Sequence, residues 1–198
     1  MSSEQGGWAN PGPGGLTALA IACFTFYAVL CGKVPGAALP FLACWLMGGF
    51  VVQLAVGIIE LREGAVLGGN VFLVFSGFFM LTGALEFFIE TQGKVDKAGA
   101  ALDGYAWLVL LITLVLWTAP YLKTSPASLG IAVLLLDLGV FFVTCDKMKW
   151  LLDPKVSAAY GGYFLLATGI VAMYVAAGIQ INSAFGKQIL PLGAPIIK

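Results

Sequence analysis

The chain has 198 residues, of which 60% are hydrophobic and 10% charged, with ten basic side chains, ten acidic ones and no histidine. A water-soluble globule of this length needs far more charge to cover its surface, so most soluble classes are excluded and the bilayer is the expected solvent. Zero net charge gives no footing for nucleic acid, and the missing histidine removes the commonest metal ligand and neutral-pH base, so neither a metal nor a cofactor is expected.

The opening MSSEQGGW lacks the basic start and short apolar core of a signal peptide, so the first span is expected to direct insertion. Spans of roughly 17 to 25 mostly apolar residues are needed to cross lipid. The sequence supplies six, at about 15–32, 38–59, 67–89, 105–122, 129–145 and 158–181. Between them lie GKVPG, ELREG, ETQGKVDKAGAALDG, KTSPAS and DKMKWLLDPK, which carry the expected breakers. Period-two alternation is absent, so a barrel is excluded and every span must be helical to satisfy its own backbone. The predicted fold is an all-α integral membrane protein, a six-transmembrane-helix bundle forming a single domain over 1–198. A polar tail is expected at 1–9 and a C-terminal tail at 183–198. Small residues recur at helix-packing distance, as in Gly49, Gln53 and Gly57, or Gly161, Gly162 and Gly169, which suits close helix packing in lipid and a homo-oligomer. Cys23, Cys31, Cys44 and Cys145 lack metal spacing and read as small packing residues.

The first span begins ANPGPGGLTALAIA. Pro11 and Pro13 lack backbone donors, which is harmless in a first helical turn, and glycines such as Gly14 let a small solute approach the main chain. Sunk between other helices and capped by Asn10, such a turn makes an anion-attracting mouth. At the interface it is a simple capped helix start.

Polar residues inside the spans are few. In the second, Gln53, Gly57 and Glu60 share one stripe at 100° per residue. That stripe is a pore lining, or Glu60 ends the helix beside Arg62 and Glu63. Asp137 is the only acid in the body of the fifth span, where an uncompensated carboxylate costs roughly 2.5 to 3.5 kcal/mol, so it is protonated, bonded to a neighbouring helix or facing water. Asp137 and Glu60 are therefore the candidates for proton coupling, and Asn70 joins the neutral polar set. Glu86 and Glu90 read as interfacial. With no Walker lysine, metal pair or activated nucleophile, an enzyme or energy-driven pump is not expected. An anion must borrow backbone donors and neutral side chains, since no basic residue lies deep in a span.

Four segments carry a resemblance. NPGPGGL at 10–16 looks like the Asn-Pro-Ala-Pro-Leu-Gly-Leu signature of the acetate uptake transporter family, the succinate-acetate permeases of microbes. GGFVVQLAVGIIELREG, FSGFF and AMYVAAGIQINSAFGKQILPLG are similar to later segments of that family, in the same order. The resemblance implies a hexamer with one pore per six-helix subunit, cytoplasmic termini in the cell membrane, and passage of acetate and related short carboxylates, succinate among them, with or without protons. By position it implies an apolar constriction of Leu19, Phe75 and Leu135, where family examples have aromatics at the first two places. The substrate vestibule is then Asn10, Pro11, Pro13 and Gly14, with Gln53 and Asn70 replacing lost hydration. The family's acidic pair near GIQIN is replaced by Ile179 and neutral neighbours. The lysine distribution taken alone favours external termini, against the family orientation. Two further readings stay open: a channel for a neutral solute such as urea or a short amide, and a non-transporting scaffold or sensor.

Overall fold

The computed structural model describes residues 7–93 and 97–198, apart from the side chains of 97–100. The elements are α1 (Gly12–Leu30), α2 (Leu39–Arg62, after a short 3-10 turn), α3 (Val66–Val74), a π-helical segment (Phe75–Leu81), α4 (Thr82–Thr91), α5 (Lys97–Thr124), α6 (Ala127–Met148) and α7 (Pro154–Phe185). The third span is α3, the π segment and α4 end to end, so six helical runs are long and apolar enough to cross a membrane. Among the described residues there is no strand.

The last four spans outrun their expected bounds at both ends, because apolar counting stops where headgroups begin while the backbone continues through them; α1 starts earlier than expected but ends at Leu30, two residues short. Thus α1 starts at Gly12, inside the proline-glycine stretch, and α7 runs from Pro154 to Phe185. The helix ends obey local chemistry. Asp153 caps α7 by accepting from Lys155 N at 2.9 Å, and Gly186 closes it at φ +61°. Gly64, at φ +82°, makes the tight turn from α2 into α3 that a side chain would strain.

The spans pack in ring order, third to second to first to sixth to fifth to fourth, and the ring is nearly open where the third and fourth spans meet. Small residues set the close approaches, as Gly139 under Leu165, Gly161 against Val143 and Gly169 against Phe24. Large apolar side chains such as Phe41, Phe78 and Leu116 are exposed on the outside, where lipid is their solvent. The chain is a multi-pass membrane protein. Of the four cysteines, Cys23 and Cys145 are buried and Cys31 half-buried, but Cys44 is exposed and so does not pack the core.

The expected polar tail is only partly visible, residues 1–6 lying outside the described residues; its last part is tied down. Trp8 N donates to Glu63 Oε1 at 3.1 Å and the Arg62 guanidinium stands 5.0 Å from the Trp8 ring. The C-terminal tail begins only after Phe185, and it is strapped to the bundle. Asn182 Oδ1 accepts from Ile189 N and Leu190 N, its Nδ2 donates to Leu190 O, and Tyr174 donates to Pro191 O. Ser128 N donates to Leu192 O and Ile197 N to Leu122 O. Replacing Asn182 with alanine removes three of these bonds, at about 1 kcal/mol apiece. Limited trypsin digestion should then cut after Lys187 at least several times faster than in the parent, while the spans stay intact.

Candidate translocation pathway

The six spans enclose a cavity of about 470 Å³. Every span contributes to its wall: Leu16 and Leu19 from the first, Glu60 from the second, Phe72 from the third, Trp117 and Tyr121 from the fourth, Leu136 from the fifth and Ile179 from the sixth. A void reached by all six helices lies on the ring axis. Its polar groups collect at one end, where Asn10, Gly12, Glu60, Gly68, Thr124 and Ser125 stand near the helix termini. Deeper in, the wall is leucine, valine and aromatic. Among the described residues no lysine or arginine lines it.

The polar end is built by two helix starts. At α1 the Asn10 side chain takes the first backbone donor, Gly12 N donating to Asn10 Oδ1 at 2.8 Å, while Pro11 occupies the cap position. Facing it is the start of α3, turned in by Gly64. The Glu60 carboxyl stands between the two, so Glu60 is a lining residue of the cavity and only its neighbours Arg62 and Glu63 belong to the surface around Trp8.

A second cavity, of about 450 Å³, lies along the open seam between the third and fourth spans. Trp117 lines both. Between them the third span carries Phe72, Phe75 and Phe79 one turn apart, with Phe75 buried and its ring centroid 5.3 Å from that of Phe79, which in turn meets Trp107 at 5.8 Å. The π-helical segment holds this ladder; the extra residue in its turn lets Thr82 reach back and donate to Gly77 O at 3.0 Å. The far end of the second cavity carries Glu86 and Asp103, and Lys147 forms an ion pair with Asp103 at 2.5 Å.

These positions correct several sequence expectations. Gln53 is fully buried and lines neither cavity; its Nε2 donates to Gly15 O at 3.3 Å, tying α2 to α1. Gly49 and Gly57 of the same stripe pack on Met80 and Leu73, so the stripe is a helix contact and only its end, Glu60, meets the cavity. Pro13 and Gly14 face a separate outer groove of about 660 Å³ between α1, α2 and α7, because successive residues of a helix turn through 100°. Asn70 donates to Val66 O at 2.8 Å in its own helix and is not among the lining residues. Leu135 is half-buried off the cavity, and Leu136, one residue on, is buried and lines it. Leu19 lines the cavity; Phe75 lines neither cavity and is buried between them, in the same core cluster as Leu19 and Leu136.

Asp137 lines neither cavity and lies between the fourth and fifth spans. Its Oδ2 is 2.5 Å from the Thr118 hydroxyl, which also reaches Leu114 O at 2.9 Å, and Oδ1 is buried with no partner among the described residues. Thr118→Val leaves that carboxyl with no partner at all and is expected to cost about 1 to 3 kcal/mol. Adding Asp137→Leu to it should restore most of the loss, as read by thermal melting of the detergent-solubilised chain.

Sequence reasoning missed Phe72, Trp117, Tyr121, Leu136 and the pairing of Asp103 with Lys147, and read Glu86 beside them only as interfacial. The aromatics and leucines are indistinguishable in sequence from lipid-facing ones. Asp103 and Lys147 lie more than 40 residues apart, at ends of different spans, and only the packing of α5 on α6 brings them together.

The pattern of the GPR1/FUN34/yaaH family matches residues 2–192, nearly the whole chain. The chain belongs to this family. No curated protein matches it. Among solved structures, a bacterial acetate channel, SatP, superposes with a TM-score of 0.82 at 20% identity, covering 94% of this chain and 99% of the other. At that identity the likeness establishes a shared fold.

Proposed function

We propose that the chain is a channel or proton-coupled transporter for acetate and related short carboxylates, succinate included, in the cell membrane with cytoplasmic termini. The observation that carries this reading is the axial cavity to which all six spans contribute, polar at one end and apolar within. Family membership and the shared fold with an acetate channel support it. The carboxylate enters at Asn10, Gly12 and Gly68, where two helix starts offer positive dipole ends. It then sheds water against an apolar floor that admits a methyl group and rejects well-hydrated inorganic ions. Leu19, Phe75 and Leu136 form the narrow part. From there the solute passes Trp117 into the second cavity and leaves past Glu86 and Asp103. The outer groove of small residues, Gly14, Gly48, Gly49 and Ala177 among them, is the face by which copies assemble into a hexamer.

Among the described residues no basic side chain lines the axial cavity, which favours one rival, a pore for urea or a short amide. Uptake of labelled acetate into liposomes containing the purified chain separates the two when urea, acetamide, propionate and succinate are added as competitors. The carboxylate reading expects propionate to compete and the amides not to. The reverse pattern establishes the rival. An imposed pH gradient that drives uptake above equilibrium marks proton coupling, and its failure to do so marks a passive channel.

A further inference from the structure

Glu60 occupies the place where the proposed pathway receives its solute. A Cβ built on Gly12, the first residue of α1, would stand 3.2 Å from Glu60 Oε1, and one built on Gly68, in the first turn of α3, would overlap Glu60 Oε2. The two carboxyl oxygens thus fit into the room left by two missing side chains, one at each helix start. Any side chain at either position would close that room. The carboxyl stands beside the first turns of two helices, whose dipoles favour negative charge against the cost of its partial burial. It opens on the axial cavity beside Tyr121 and Ser125. Arg62, the nearest cation along the chain, is engaged with the Trp8 ring and forms no ion pair with Glu60.

We infer that Glu60 is a tethered competitor for the carboxylate cradle between Gly12 and Gly68, and that a solute carboxylate binds there by displacing it. This rests on the carboxylate reading of the pathway. A cradle shaped for one carboxylate cannot hold two, so occupancy by Glu60 lowers the apparent affinity for the solute in proportion to the time Glu60 spends there. The same competition speeds release: as the solute begins to leave, the tethered carboxylate returns and completes its departure. Conduction demands that combination, since a site that binds too well does not let go. Glu60 is in this sense a specificity-determining residue that tunes the exchange between binding and passage.

The test compares initial rates of labelled-acetate uptake over a range of acetate concentrations for the parent chain, Glu60→Gln and Glu60→Asp in liposomes. Acetate titration of Trp117 fluorescence in detergent gives a second, flux-free measure of binding, taken against a Trp117→Phe control. Glutamine removes the competing charge; aspartate keeps the charge and retracts it from the cradle by one methylene. If Glu60 holds the cradle nine-tenths of the time, Glu60→Gln lowers the half-saturating acetate concentration about tenfold. The maximal rate is expected to fall with it, and Glu60→Asp to move both quantities the same way by less. A merely structural role for Glu60 lowers the rate without tightening binding. Flux in the parent together with unchanged or weaker acetate binding in both variants overturns the inference and leaves the pathway reading intact. No acetate flux in the parent takes down the pathway reading and this inference together. Should Glu60→Gln fail to fold, Glu60→Asp alone decides by the same signs.

Discussion

Leu136→Trp should reduce acetate flux by at least about tenfold, equivalent to raising the barrier by roughly 1.4 kcal/mol or more. The side chain is buried, lines the axial cavity and shares a core cluster with Leu19 and Phe75. An indole in place of the isobutyl group fills the cavity at the level where a desolvated solute has least room. Leu135→Trp provides the contrast, because Leu135 is turned by about 100° from Leu136 and off the cavity. Its flux should stay within about twofold of the parent, a difference of well under 1 kcal/mol. Both variants add the same volume to the same helix, and because Leu136 is buried and Leu135 half-buried the two are compared at equal amounts of folded, reconstituted chain. Equal flux in the two would show that the cavity is not the route. Block by the residue 135 variant alone would show that the register of α6 on the pathway is the one implied by resemblance.

Gly15→Val should cost the fold at least about 1 to 3 kcal/mol, the range for forcing extra methyl groups into packed space. Gly15 is a point of close approach between the first and third spans. A Cβ there would overlap the Phe72 ring, with Cζ at 2.6 Å, and its carbonyl accepts from the fully buried Gln53. A β-branched side chain must push Phe72 into the axial cavity or drive α1 away from the second and third spans. Phe72→Ala in the same chain should recover much of the loss, since it vacates the space the valine needs. The pair forms a double-mutant cycle read by melting temperature and by the fraction that elutes as a discrete species in detergent. Additive losses would mean that Gly15 is constrained by something other than that ring.

The six spans were legible because lipid imposes two demands that sequence displays directly, length and apolarity. The division of the third span into α-helical and π-helical parts was not, since the Ser76-Gly77 pair in FSGFFML reads equally as a weak point of the helix and as a small packing face. Periodicity correctly grouped Gln53, Gly57 and Glu60 on one face. It does not say what that face meets, and here most of it meets other helices. The proline-glycine start was recognised as special, but its four vestibule candidates divide between two surfaces: Asn10 faces the axial cavity, Pro13 and Gly14 the outer groove, and Pro11 takes the cap position. A helical turn spreads neighbours around a circle, so a run of consecutive residues is seldom one site. Leu135 shows the same limit: resemblance to a family at low identity fixes the element, and a slip of one residue changes the face. For Glu60 the sequence left a headgroup position and a pore-lining position open; its carboxyl lines the axial cavity in the room left by Gly12 and Gly68.

The most direct test is uptake of labelled acetate into liposomes containing only the purified chain, measured against protein-free liposomes of the same lipid. The pathway described above predicts uptake that saturates with acetate, exceeds the lipid background and collapses with Leu136→Trp. Uptake indistinguishable from protein-free liposomes, from a chain that melts cooperatively and elutes as a single species, would contradict it.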